Sequence, residues 1–208
     1  MPANKTTVLS WLADLSAAIV TDPEDLGDVS SRIAAAVSLD AAAFATEALS
    51  LTRIIAESVN DSAGFDRWSI GPTIAAGDTR DAMSVLLSVA LSIAGCRVDW
   101  PSRPQAGKAR SRVAEAGDAS LAVASNMGGD GADLYSWLSG LTDVACRLIS
   151  DLAANAVPIV KVATGLSMPS TVLAYQLYGD ANRAGSLVDI SSSATPLVMP
   201  TLFDALAS

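Results

Sequence analysis

The sequence predicts a mostly α protein: a helical bundle with a small helix-turn-helix element at its C-terminal end. Three observations predict it. Half of the 208 residues are apolar but only 5% are aromatic, and alanine is abundant. That mix suits helices packed closely through small side chains and lacks the β-branched and aromatic surplus of a sandwich or barrel. Apolar residues recur at steps of three and four over long stretches, and Asp, Ser, Gly and Pro punctuate those stretches where helices start and stop.

The first helix is expected from about Thr6 to Val20, with Val8, Leu12, Leu15 and Ile19 on one face. Thr21-Asp22-Pro23 closes it. Asp22 fits a cap and Pro23 a first helical position, and a short second helix is expected from about Val29 to Val37. Ser38 fits the N-cap of a third helix, whose stripe is Phe44, Ala48, Leu51, Ile55 and Val59. Asn60 to Gly64 ends it. A loop to about Gly77 follows, and its Phe65, Trp68 and Pro72 either pin it to the core or face a partner.

Asp78 is expected to cap the fourth helix, with Asp81 in the first turn where the helix dipole favours negative charge. From Ala82 to Cys96 the pattern is apolar nearly all round, which marks a central buried helix. Ser84, Ser88 and Ser92 form a small-residue seam in it, each hydroxyl placed to bond back to the carbonyl four residues earlier. The apolar run Ala82 to Gly95 is too short to span a bilayer. Trp100 to Pro104 is a break, and an alanine-rich helix follows from about Gln105 to Asn126.

Met127-Gly128-Gly129-Asp130-Gly131 reads as the clearest hinge and the boundary of any second lobe. The helix after it, about Ala132 to Ala154, has the strongest periodicity. Leu134, Leu138, Leu141, Ala145, Leu148 and Leu152 form a heptad-like seam for antiparallel packing or a partner helix. Val157 to Thr164 is either extended or a kinked continuation. A short helix then ends at Tyr178, where Gly179 fits a left-handed turn and Asp180 an N-cap for a helix to about Asp189. The organisation expected is an N-terminal helical region over 1–127, a long helix completing the bundle over 132–164, and a C-terminal element over 165–208.

Composition narrows the chemistry. The net charge is −9 and no histidine is present. Imidazole-based catalysis and the commonest zinc ligand are therefore excluded. The densest basic stretch, Arg97 to Arg112, has no aromatics interleaved beyond Trp100 and reads as a solvated helix face, so neither nucleic acid nor an anionic membrane is expected as a partner. Cys96 and Cys146 sit in apolar stretches without a second ligand at metal spacing and read as buried thiols. The loop Gly128 to Asp133 lacks the Gly-Lys-Ser/Thr ending that cradles phosphate, and its carboxylates do not follow calcium-loop spacing. No leader pattern follows Met1. The expectation is a non-catalytic protein with no cofactor, no metal and no catalytic residue. Its high apolar content hints at assembly, with subunit contacts hiding apolar surface.

The stretch Pro169-Ser170-Thr171-Val172-Leu173-Ala174-Tyr175-Gln176-Leu177-Tyr178-Gly179-Asp180-Ala181 resembles the C-terminal region of the Mu-like phage tail proteins called DNA circularisation proteins. Those carry a proline-started helix and a Leu-Ala-Tyr/His-x-Leu-Tyr-Gly-Asp-Ala core, then an Asn-x-Ile-Arg-His-Pro-x-Phe-Val-Pro stretch. The same core looks like the second half of LysM-like modules in tail and baseplate proteins. Pro196 and Pro200 keep the family's proline spacing, and Leu187-Val188 its apolar pair. The family's asparagine, arginine and histidine fall on Ser191, Ala194 and Thr195. The apolar skeleton survives while the polar part is lost, which suits packing. The similarity covers about Gly165 to Pro200.

This resemblance implies a structural component of a contractile phage tail baseplate, located in the virion and made in the host cytoplasm. Its implied partners are other tail and baseplate proteins (hub, tail tube, wedge), with homo-oligomers inside the assembly. The C-terminal element would be LysM-like and would dock, with Tyr175, Tyr178, Asp180, Arg183, Leu202 and Phe203 as candidate contacts. Two further readings are a LysM-like module binding cell-wall glycan, which needs strands flanking the two short helices, and an accessory to peptidoglycan hydrolysis. No clear strand is visible before Ser167.

Overall fold

The computed structural model describes residues 3–207. Met1, Pro2 and Ser208, the ends of the expected first and last regions, lie outside the described residues. The chain is mostly helical and divides into two compact units. One is the chain through Trp100 together with Ala106–Leu152. The other is Pro101–Gln105 together with the chain from Ala153 onward. The division falls at Leu152 and not at the glycine-rich segment, because Gly128–Gly131 forms a tight 3-10 turn inside the first unit.

The first unit holds α1 (Lys5–Ile19), α2 (Pro23–Ala36), α3 (Ala41–Glu57), α4 (Ser62–Arg67), α5 (Asp78–Arg97), most of α6 (Arg103–Asn126) and most of α7 (Ala132–Asn155). The expected stripes of α1 and α3 are buried. Several boundaries differ. α2 begins at Pro23, fourteen residues long, because Asp22 accepts hydrogen bonds from the Glu24 and Asp25 N–H groups and Pro23 needs no donor partner at the first position. α3 is capped by Asp40, not Ser38, through the Ala43 N–H at 2.9 Å. α5 is preceded by Gly77, at φ 134°, and Asp78 lies inside the first turn instead of capping it. The expected loop after α3 contains α4, capped by Asp61.

That loop is pinned to the core by its aromatics. Trp68 meets Trp11 edge-to-face at 5.8 Å, and Phe65 meets Trp100 at 5.2 Å. Such pairs add about 0.5–1.5 kcal/mol each beyond area burial. The indole N–H of Trp11 donates to the Ser69 carbonyl and that of Trp100 to the Gly95 carbonyl. Arg112 of α6 closes the loop, pairing with Asp66, donating to the Trp68 carbonyl and lying 4.8 Å from the Phe65 ring.

α5 packs against α1, α3 and α4. Its twenty residues are long and apolar enough to cross a membrane by length and composition, beyond the shorter Ala82 to Gly95 run, and half of that stretch is buried against the rest of the chain. Of its serine seam, only Ser84 bonds back, to the Arg80 carbonyl. The Ser88 and Ser92 hydroxyls are buried without a hydrogen-bond partner. α7 approaches α5 and α6 through glycines: a Cβ on Gly95 would come within 2.8 Å of Ile149, and one on Gly117 within 2.5 Å of Thr142.

The second unit is built on β1 (Ile159–Ala163), α8 (Ser170–Tyr178), a 3-10 turn at Ala181–Arg183, α9 (Ala184–Ser191) and β2 (Leu202–Leu206). β1 and β2 pair antiparallel, from Ile159 opposite Leu206 to Ala163 opposite Leu202. The C-terminal element is therefore not a bare helix-turn-helix: a strand does precede Ser167, and the order is βααβ. Local pattern hides β1 because its partner lies about forty residues away. Leu173, Ala174, Leu187, Met199, Phe203 and Ala205 form the core.

Candidate functional site

The second unit carries the residues expected to dock, and its architecture sorts them. α8 and α9 meet through Gly179, whose φ of 70° is the left-handed conformation that glycine adopts without strain. Asp180 follows and accepts from the Asn182 N–H at 2.9 Å. Asp180 is thus a turn residue, exposed but already engaged.

Tyr175 and Tyr178 part company. Tyr175 is 65% exposed. Tyr178 is half-buried against the core, and its hydroxyl accepts a hydrogen bond from the Leu206 N–H at 3.0 Å. Arg183 lies over the Tyr178 ring at 4.1 Å, a cation–π contact inside the unit. Tyr178 and Arg183 therefore brace α8 against β2 and the turn.

Leu202 and Phe203 face opposite ways, because neighbouring strand residues project to opposite faces. Phe203 pairs with Val162 on the face toward the helices and is 4% exposed. This corrects its expected role as a contact: it is core. Leu202, opposite Ala163, is 60% exposed and lies on the outer face beside the Lys161–Asp204 ion pair.

The most exposed apolar groups of the unit are ones the sequence reading missed. Leu166 is 74% exposed, Leu197 72% and Val198 61%. They lie on the β1–α8 and α9–β2 loops, which are stitched together by backbone bonds. The Thr164 N–H donates to the Thr201 carbonyl, Met199 to Met168, and Ser170 to Pro196. The Ser167 hydroxyl adds a bond to the Met199 carbonyl. Pro169, Pro196 and Pro200 stiffen both loops. The result is a pre-ordered apolar edge that loses little conformational freedom on binding. Its available signal was the apolar pair Leu197-Val198 held between two prolines.

Burial pushes the Cys96 and Cys146 thiols up, so neither is an activated nucleophile. Among the described residues no group of three or more Cys, Asp or Glu is placed to hold a metal ion. A cleft of about 400 Å³ between α6 and α7 is lined by Arg110, Asp143, Cys146, Arg147, Ser150 and Asp151, charged side chains of both signs.

No protein-family model matches the chain, and no curated protein shows significant similarity to it.

Proposed function

We propose that this chain is a structural component of a phage contractile tail baseplate, joining the tail tube or hub to neighbouring baseplate proteins through its C-terminal unit. The observation that carries the reading is the pairing of two loops that hold Leu166, Leu197 and Val198 out to solvent on a stiff βααβ frame. That frame contains the Leu-Tyr-Gly-Asp-Ala core through which the chain resembles tail proteins. Exposed aliphatic groups on a rigid edge favour protein contact, since covering them removes apolar surface from water and little ordering is lost on binding. Tyr175 on α8 and Leu202 on the outer face of the strand pair are further exposed candidates for contact. The net charge of −9 weighs against action on DNA ends.

The reading is tested by a chain carrying Leu166→Asp, Leu197→Asp and Val198→Asp, supplied in place of the natural one during phage growth. Assembly stalled before complete tails, with the variant soluble and helical, is the expected result. Normal infectious particles would refute it.

One observation favours a second reading, a cell-wall glycan-binding module: β1 supplies the strand that a βααβ module of that kind needs. Retention of the full-length protein by insoluble peptidoglycan, abolished by the same three substitutions, would select it over protein docking.

A further inference from the structure

α7 presents two apolar faces. One, with Leu138, Ala145 and Ile149, is buried in the first unit. The other is exposed: Trp137 is 49% exposed, Val144 55% and Leu148 47%, with half-buried Leu134 and Leu141 alongside. Their spacing of three, four, three and four residues makes a heptad seam, the pattern by which one helix packs along another. Leu134 and Leu141 also pack inward, against Val89, Ala124 and Leu138, so the open part of the seam is the edge of Trp137, Val144 and Leu148.

The edge of this seam is self-complementary. Asp133, Gly140 and Arg147 recur every seven residues along it, so they share one side of the helix. All three are exposed, and neither Asp133 nor Arg147 is among the ion pairs of the described residues. A Cβ at Gly140 would meet no atom within 4 Å. An antiparallel copy of the helix, related by a two-fold axis through Gly140, brings Asp133 of each chain to Arg147 of the other. Gly140 then faces its own copy, where the missing side chain permits close approach. In that register Trp137, Val144 and Leu148 of each copy line the seam between the two helices. A shift of register along the helix separates Asp133 from Arg147.

We infer that this face of α7 binds a second copy of the same chain as an antiparallel, two-fold helix pair. The inference stands on the first unit and is independent of what the C-terminal unit binds. The contact is isologous, so it closes as a dimer and does not propagate. A helix pair of about 21 Å, fourteen residues at 1.5 Å rise, is a small interface, so the dimer is sought over about 1–100 μM.

Sedimentation equilibrium of the full-length protein across that range tests it, with circular dichroism to confirm that each variant is folded. The natural chain dimerises. Val144→Glu, at an exposed position, leaves a folded monomer. Asp133→Arg and Arg147→Asp each weaken the dimer about tenfold or more by setting like charges together, and the double reversal restores it to within about threefold. The dependence on the pair fades in high salt. A monomer at every concentration would overturn the inference. So would a dimer indifferent to Val144→Glu, or a double reversal no tighter than the single ones.

Discussion

The hydroxyl of Tyr178 accepts a hydrogen bond from the backbone N–H of Leu206 at 3.0 Å, which ties the end of α8 to the last residue of β2. Removing it by Tyr178→Phe leaves the ring in place and strands a partly buried N–H. The expected cost is about 1–2 kcal/mol in urea-induced unfolding. Tyr175→Phe, at an exposed position three residues earlier, is expected to leave stability unchanged. Equal effects from the two substitutions would contradict the bracing role.

Gly131 sits where a Cβ would come within 2.0 Å of the Ala124 carbonyl oxygen. Backbone cannot swing aside as a side-chain tip can. Gly131→Ala is expected to destabilise the first unit by about 2–3 kcal/mol or more, the range of overpacked sites. Gly129→Ala, where a Cβ meets no atom within 4 Å, serves as the comparison in the same thermal melts.

The close passage of α6 over α7 at Gly117 and Thr142 allows a compensation test. Gly117→Ala drives a methyl into the Thr142 side chain, whose hydroxyl is buried without a partner. The single change is expected to cost about 1–3 kcal/mol. Thr142→Ala removes the obstructing atoms, so the double variant should recover most of that loss. Additive losses would mean the two residues do not share the space.

Ser92 on α5 is 2% exposed and its hydroxyl lacks a hydrogen-bond partner. Ser92→Ala removes an unsatisfied polar atom and raises helix propensity. A rise in unfolding free energy of about 0.5–1 kcal/mol is expected. A loss of stability would indicate a partner for that hydroxyl.

Burial holds the Cys96 thiol, and to a lesser depth the Cys146 thiol, above the ordinary cysteine range. The folded state therefore keeps these protons at a pH where the unfolded chain has lost them. Their contribution to stability is fully present below the ordinary thiol pKa of about 8.5 and is lost as pH rises through the raised value. Denaturation series from pH 7 to 10, roughly, should show a smaller decline for Cys96→Ala than for the natural chain. At pH 8 both thiols should react with iodoacetamide more slowly than free cysteine.

The helical class, the buried stripes of α1 and α3 and the Gly179-Asp180 turn were all legible in the residues, because each depends on groups within a few positions of one another. Phe44, Ala48, Leu51 and Ile55 line one face by the helix repeat alone, and Gly179 is the residue for a left-handed turn whatever surrounds it. The α7 seam was legible too, but not its division into a buried face and an exposed one, which depends on where α5 and α6 lie.

What only the tertiary structure decided are the relations between distant segments. β1 exists because Ile159 to Ala163 find Leu202 to Leu206 across some forty residues, and no local pattern announces that pairing. The same pairing put Phe203 in the core and Leu202 in solvent, though the two adjoin in sequence. It also zipped two loops together and so held Leu166, Leu197 and Val198 out as an edge. Helix periodicity is written in neighbours. Strand pairing, loop pairing and the sorting of apolar residues into core and surface are set by partners far along the chain, and those become readable only once the chain has folded.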